Sequence, residues 1–205
     1  MKLLISPHND DETLFSAFTI LQHRPHILIV YDSYTQPARG FNECSLFARR
    51  AETVAAMREL WDDFDPETEL TFLGLSDADP VDIFQVSSAL APYLKRATQI
   101  WCPAFQRGGH DQHNAVANAV GLNHSAQTFA HVYRYATYVR GRGKTQPTQV
   151  PGHESTIREV PPANGDHIRR KLRALACYKS QLDMTPGLGC WPWFMGDLKE
   201  YQIDE

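Results

Sequence analysis

The sequence predicts an α/β fold, a mostly parallel sheet with helices on both faces. Three observations predict it. Short apolar runs alternate with helical patterns through roughly the first 125 residues. His26-Ile27-Leu28-Ile29-Val30-Tyr31 is apolar almost without interruption, as in a strand covered on both sides. Two polar clusters follow strand ends, after the first strand and after the fourth. In open α/β sheets, ligands bind outside the carboxyl ends of the strands.

The elements follow in order. Lys2 to Ser6 is the first strand, and Glu12 to about His23 the first helix. His26 to Tyr31 is the second strand. A polar loop with Pro37 and Gly40 leads to a long helical segment, Phe41 to Trp61. There Leu46, Ala51, Val54, Arg58 and Trp61 fall on helical spacing. Asp62 to Pro66 is a break. Leu70 to Leu73 is the third strand, ending at Gly74. A loop carrying Asp77 and Asp79 passes through Pro80 into a helix from about Val81 to Lys95. Pro92 should lie near its end or kink it. Gln99 to Cys102 is the fourth strand, stopped by Pro103. The glycine-rich turn Arg107-Gly108-Gly109-His110-Asp111-Gln112-His113 precedes a helix from Asn114 to about Leu122. Thr128 to Val139, rich in Tyr, Val and Thr, reads as a strand. Gly141 to Gly152 reads as a mobile surface loop. Ser155 to Val160 reads as a short edge strand, and Asp166 to Leu182 as the last clear helix. The tail from Met184 carries Trp191, Trp193 and Phe194 among prolines and glycines and reads as packed irregular coil.

Composition narrows the function classes. At 205 residues the chain suits a single domain over 1–205. A net charge of −4 and a pI near 6.1 ask for no nucleic acid. No apolar run approaches the ~20 residues of a membrane span, and no basic-then-apolar leader opens the sequence. Cys44, Cys102, Cys177 and Cys190 are scattered without a CxxC pair, so a reduced cytoplasmic setting is expected and cysteine metal sites are not.

The chemistry gathers at the two strand ends. In Ser6-Pro7-His8-Asn9-Asp10-Asp11-Glu12, His8 and Asp11 lie three apart on a turn entering a helix and can converge on one cation. The loop after the fourth strand opens on the same edge of the sheet and supplies His113. Two imidazoles and one carboxylate form a catalytic zinc set with a fourth position for water. Zinc lowers the pKa of its water from about 15.7 to about 7. Asp10 is placed to take the proton, and His110 to stabilise an oxyanion or protonate a leaving amine. The same acids also suit a plain helix start, each contributing about 0.3–1 kcal/mol against the helix dipole. The histidines likewise suit a solvated glycine turn. No serine elbow, Walker loop or dinucleotide-binding glycine fingerprint is present.

Ser6-Pro7-His8-Asn9-Asp10-Asp11-Glu12-Thr13-Leu14 closely resembles the PHPDDE signature of the N-acetylglucosaminyl-phosphatidylinositol deacetylases, the LmbE-like or PIG-L family. Arg49-Arg50-Ala51-Glu52 resembles the family's RxxE helix. Leu73-Gly74-Leu75-Ser76-Asp77 resembles its LGLPD loop. Tyr178-Lys179-Ser180-Gln181 resembles its C-terminal Y/H-x-S-Q helix. The resemblance implies a Rossmann-like three-layer α/β sandwich and zinc-dependent removal of an acyl group, usually acetyl, from an amino-sugar nitrogen. It implies His8, Asp11 and His113 as metal ligands, Asp10 as general base, and His110 as the oxyanion-side or acid residue. Arg49 and Asp77 would be substrate contacts, or else an ion pair and a loop cap. The expected metal is Zn2+ or another divalent ion such as Fe2+. The expected partner is a small N-acylated amino sugar or glycoconjugate, and homo-oligomerisation stays open. A metallohydrolase of another amide or ester, and a non-catalytic sugar-binding domain, are the alternatives.

Two positions depart from the pattern. Asn9 stands where the family has proline, and Asn suits tight turns. Gln112 stands where the family's HxDH motif has an acid that would orient a neighbouring histidine. Glutamine still accepts a hydrogen bond but supplies no charge.

Overall fold

The computed structural model describes residues 1–32, 46–76, 80–127, 130–137, 157–182 and 198–204. In chain order the elements are β1 (Lys2–His8), α1 (Asp11–His23), β2 (His26–Tyr31), α2 (Leu46–Leu60), α3 (Pro66–Glu69), β3 (Leu70–Leu75), α4 (Ile83–Leu94), β4 (Gln99–Pro103), α5 (Asp111–Gln127), β5 (His131–Tyr135), β6 (Ile157–Val160), α6 (Gly165–Leu175), α7 (Lys179–Leu182) and β7 (Glu200–Asp204).

The strands form one sheet in the order β3-β2-β1-β4-β5-β7-β6. β1 to β5 pair in parallel, and β7 runs antiparallel between β5 and β6. The mostly parallel α/β expectation therefore holds. Leu3, Leu4 and Ile5 are fully buried, because each face of β1 meets its own helical layer. Leu4, Ile27 and Ile29 pack with α1, α2 and α6. Leu3, Ile5, Leu28 and Val30 pack with α4 and α5 on the other side. Burying one such side chain contributes about 1.5–3 kcal/mol.

β1 and β4 are neighbours, yet the chain leaves β1 toward β2 and leaves β4 toward β5. This is the topological switch point, where a crevice opens at the carboxyl ends of the strands. His8 ends β1 on that edge, and the loop after β4 returns to it.

The structure changes several predicted boundaries. A short helix, α3, occupies the end of the expected break, with Asp65 accepting the Glu67 N–H at 3.1 Å as its cap. α5 begins at Asp111, three residues before its predicted start. β5 is shorter than the predicted Thr128–Val139. The predicted last helix is two helices: α6 ends with the chain turning at 176–178 before α7 begins. β7 is a strand where irregular coil was expected. β6 does lie at the sheet edge. The loop from Gly141 to Gly152 and the Trp191, Trp193 and Phe194 stretch fall outside the described residues.

α1 carries a break at Ser16, whose φ of −142° and ψ of 16° are not helical. The cause is an inserted ion pair. An unbroken helix would join the Phe18 N–H to the Leu14 carbonyl. Instead Lys171 Nζ donates to the Leu14 carbonyl at 2.9 Å, and Glu200 accepts the Phe18 N–H at 2.9 and 3.0 Å. Lys171 and Glu200 meet at 2.7 Å, both essentially buried. Losing one partner of such a pair costs on the order of 3–5 kcal/mol.

Candidate metal centre

The site is built on a backbone that departs from the ordinary. Asp10 caps α1 with φ 116° and ψ −33°, a region that favours glycine. Its carbonyl accepts from the N–H groups of Thr13 at 3.0 Å and Leu14 at 2.8 Å, which starts the helix. Its side chain makes no capping hydrogen bond, unlike a typical N-cap aspartate. The carboxylate is thereby left for other work. The His8 N–H donates instead to Asp11 Oδ2, at 3.0 Å.

Three donor atoms then meet. Asp11 Oδ2 lies 3.0 Å from His8 Nδ1 and 3.0 Å from His113 Nε2. The two imidazole nitrogens are 3.2 Å apart. A tetrahedral zinc ion with bonds of about 2.0–2.1 Å sets neighbouring ligand atoms roughly 3.3 Å apart. The observed triangle is close to that spacing. His110 completes a wider cluster, its ring nitrogen and those of His8 and His113 lying within 4.8 Å of one another.

The hydrogen bonds sort these imidazoles by role. His8 Nε2 lies 2.6 Å from Gln112 Oε1, which can only accept. The Nε2 proton is therefore committed there, and Nδ1 presents a lone pair to Asp11 and His113. Three such atoms at this range suit a shared cation, a proton or a metal ion, between them. Gln112 thus keeps the orienting part expected of the family's acid at this position, and the histidine it orients is His8. His110 differs: its Nδ1 accepts the Gln112 backbone N–H at 3.3 Å. That leaves the proton on Nε2, which suits His110 to donate rather than to ligate.

Electrostatics follow the same division. Burial by itself would raise the Asp11 carboxyl, but His113 and His8 hold it below the usual carboxylate range. Burial pushes Asp10 well above that range, helped by the Asp11 charge and opposed by Arg49. Burial works to lower His8, but its contacts with Asp11 raise it overall.

The second edge of the site is held locally. Gln106 N–H donates to Asn114 Oδ1 at 2.8 Å, and Asn114 Nδ2 donates back to the Gln106 carbonyl at 2.9 Å. Within that staple, a Cβ on Gly109 would sit 3.0 Å from the Gln106 carbonyl oxygen, which is why glycine stands there.

Arg49 is buried, and its guanidinium donates to the Asn9 carbonyl at 2.9 Å. Thr53 Oγ1 donates to Asn9 Oδ1 at 3.0 Å. The RxxE helix therefore grips the turn between His8 and Asp11, through the residue that stands where the family has proline. Asp77 falls outside the described residues. Sequence reasoning missed the part played by Glu12. Buried completely, it accepts from Asp10 N–H at 3.0 Å, from Thr13 Oγ1 at 3.1 Å, and from Tyr178 Oη. It also missed Ser180, whose N–H and Oγ bind the Glu52 carboxylate at 2.7 and 2.6 Å. The signal was present in the RxxE and Y-x-S-Q motifs, whose partners lie far along the chain.

Comparisons with known proteins agree with this architecture. A solved A40926 pseudoaglycone deacetylase, Dbv21, superposes with a TM-score of 0.67 at 17% identity, covering 98% of this chain and 95% of that one. The N,N'-diacetylchitobiose deacetylase of Pyrococcus horikoshii gives 0.62 at 16% identity, covering 96% and 74%. The 4-carboxy-2-hydroxymuconate hydratase GalB of Pseudomonas putida gives 0.58 at 16% identity, covering 96% and 84%. At these identities the likeness is one of fold. No curated protein matches the sequence. The family profile described as PIG-L, GlcNAc-PI de-N-acetylase, matches residues 3–122, more than half of the sequence, and the chain belongs to that family.

Proposed function

We propose that this protein is a zinc-dependent hydrolase that removes an N-acyl group, in the first instance acetyl, from an amino sugar or its conjugate. The observation that carries the reading is the triangle of His8 Nδ1, Asp11 Oδ2 and His113 Nε2 at 3.0–3.2 Å, beside an uncapped Asp10. Family membership and the two deacetylases of the same fold support the choice of an N-acetyl substrate.

His8, Asp11 and His113 would hold the metal, with zinc preferred and Fe2+ a competitor for the same nitrogen and oxygen donors. Bound there, the ion supplies a water of lowered pKa and polarises the amide carbonyl. Asp10 accepts the proton of the attacking water. The Nε2–H of His110 donates to the oxygen that gains charge as the carbonyl carbon becomes tetrahedral. The C–N bond then breaks, and the nitrogen leaves as the amine with the proton that Asp10 accepted. Gln112 keeps His8 in the ligating tautomer throughout.

The test is Asp10→Asn, assayed against a panel of N-acetylglucosamine conjugates with metal content measured. General-base loss should lower kcat by about 10²–10⁴-fold, with metal stoichiometry unchanged. Undiminished turnover with metal retained would remove Asp10 from the mechanism. A panel that also holds simple amides, esters and a hydratable enol substrate separates deacetylation from the chemistry of the hydratase sharing the fold.

A further inference from the structure

We propose that Glu12 and Tyr178 form a clamp holding the Asp10 backbone in its glycine-like conformation, which makes Tyr178 a positioning residue for the base. The inference rests on the reading of Asp10 as that base. It begins with strain. Asp10 and Arg24 are the non-glycine residues of positive φ among the described residues. Arg24, at φ 47° and ψ 59°, is an ordinary left-handed helix cap. Asp10, at φ 116°, lies outside that basin, and such a residue costs about 1–3 kcal/mol unless its surroundings enforce it.

The enforcing group is Glu12. Its Oε2 takes the Asp10 N–H at 3.0 Å, the contact that the unusual φ makes available. Ser6 Oγ reaches the same oxygen at 3.4 Å. Oε1 takes Thr13 Oγ1 and the Tyr178 hydroxyl. Glu12 and Tyr178 are both fully buried. A carboxylate so enclosed is held by its donors, and Tyr178 is the donor from a different part of the chain, 166 residues away. The consequence for the base is direct. With the Asp10 backbone fixed by that bond, the direction in which its side chain leaves the chain is fixed as well, and that side chain makes no capping hydrogen bond of its own. Ser180, two residues on, is separately locked to Glu52 of α2, so the segment bearing Tyr178 is itself fixed.

Tyr178→Phe removes the hydroxyl and little volume. In the metal-loaded protein, kcat should fall about tenfold, the scale of one charge-assisted hydrogen bond, with KM and metal stoichiometry unchanged. Hydrogen exchange at the Asp10 amide, followed by NMR, should quicken by a similar factor. Glu12→Gln keeps an acceptor for that amide and should fall between wild type and Glu12→Ala in both readouts, which preserves the test if Tyr178→Phe folds poorly. Arg170→Gln, which removes contacts with Asp62 and Asp166 and touches neither Glu12 nor Tyr178, should leave Asp10 exchange as in wild type, separating the clamp from general loosening. Unchanged Asp10 exchange in Tyr178→Phe overturns the clamp. Faster exchange with unchanged kcat overturns its positioning role. Full activity in Asp10→Asn would instead fault the underlying reading of the base, while the exchange data still judged the clamp.

Discussion

The two edges that bring His8, Asp11 and His113 together are built by different means. The β4–α5 loop is held chiefly from nearby, by Gly109 and the reciprocal Gln106–Asn114 pair eight residues apart, with Thr137 as its outside contact on Gln106. The β1–α1 turn is held from outside. Arg49 and Thr53 of α2 grip Asn9, and Tyr178 holds Glu12, which in turn takes the Asp10 N–H. The local edge carries donors that need only point correctly. The distant-braced edge carries the residue under backbone strain. Strain of that kind persists only where many contacts outvote it, and the two residues between β1 and α1, Asn9 and Asp10, have too few of their own.

This contrast can be broken or sharpened experimentally. The largest effect belongs to Gln112, because its side chain bridges the edges by reaching His8. Gln112→Leu should weaken zinc affinity by about 10–100-fold, measured by chelator competition. Gln112→Glu should tighten it, since a carboxylate strengthens the imidazole as a ligand. Equal affinity in all three proteins would deny the bridge. Gly109→Ala should act on this edge alone: the added methyl would sit 3.0 Å from the Gln106 carbonyl oxygen, so the backbone beside His110 must give by a few tenths of an ångström. A drop in kcat of about tenfold, with Asp10 amide exchange unaltered, is the expected outcome. The smallest effect belongs to a control that touches neither edge. Arg170 hydrogen-bonds Asp62 and Asp166 and thereby holds both exposed carboxyls below their ordinary values. A carboxyl lowered in the folded state stabilises above its ordinary pKa, about 4, and ceases to as pH falls through its folded value. Arg170→Gln should therefore lower the melting temperature slightly at pH 7. The difference should shrink below pH 4 and in 1 M salt, where the screening length is about 3 Å.

Much of this was legible in the residues themselves. The continuous run His26–Tyr31 announced a doubly covered strand, and β2 spans those residues. His8, Asp11 and His113 meet as their strand-end positions required, and His110 and Gln112 stand beside them. What escaped was long-range. Nothing local to Tyr178 names Glu12 as its partner, and nothing in Asn9-Asp10 announces a positive φ where no glycine stands. β7 escaped for a similar reason. Glu200-Tyr201-Gln202-Ile203-Asp204 does alternate polar and apolar, but its buried positions include Glu200 and Gln202, the reverse of the usual pattern, and β5 and β6 flank it. Glu200, polar and therefore a poor strand signal, is the residue that enters the break in α1.

That inserted ion pair fixes an order of assembly. The Leu14 carbonyl and Phe18 N–H can close an ordinary helical turn by themselves, so a chain lacking β7 and α6 has an alternative: a straight α1. The native, broken helix becomes available only once Lys171 and Glu200 arrive together, one from each of two elements made after the rest of the sheet. The native form of α1 thus rests on contacts of high sequence separation, whose loop-closure cost slows their formation. During synthesis, Glu12 and Leu14 of α1 wait for partners more than 150 residues downstream.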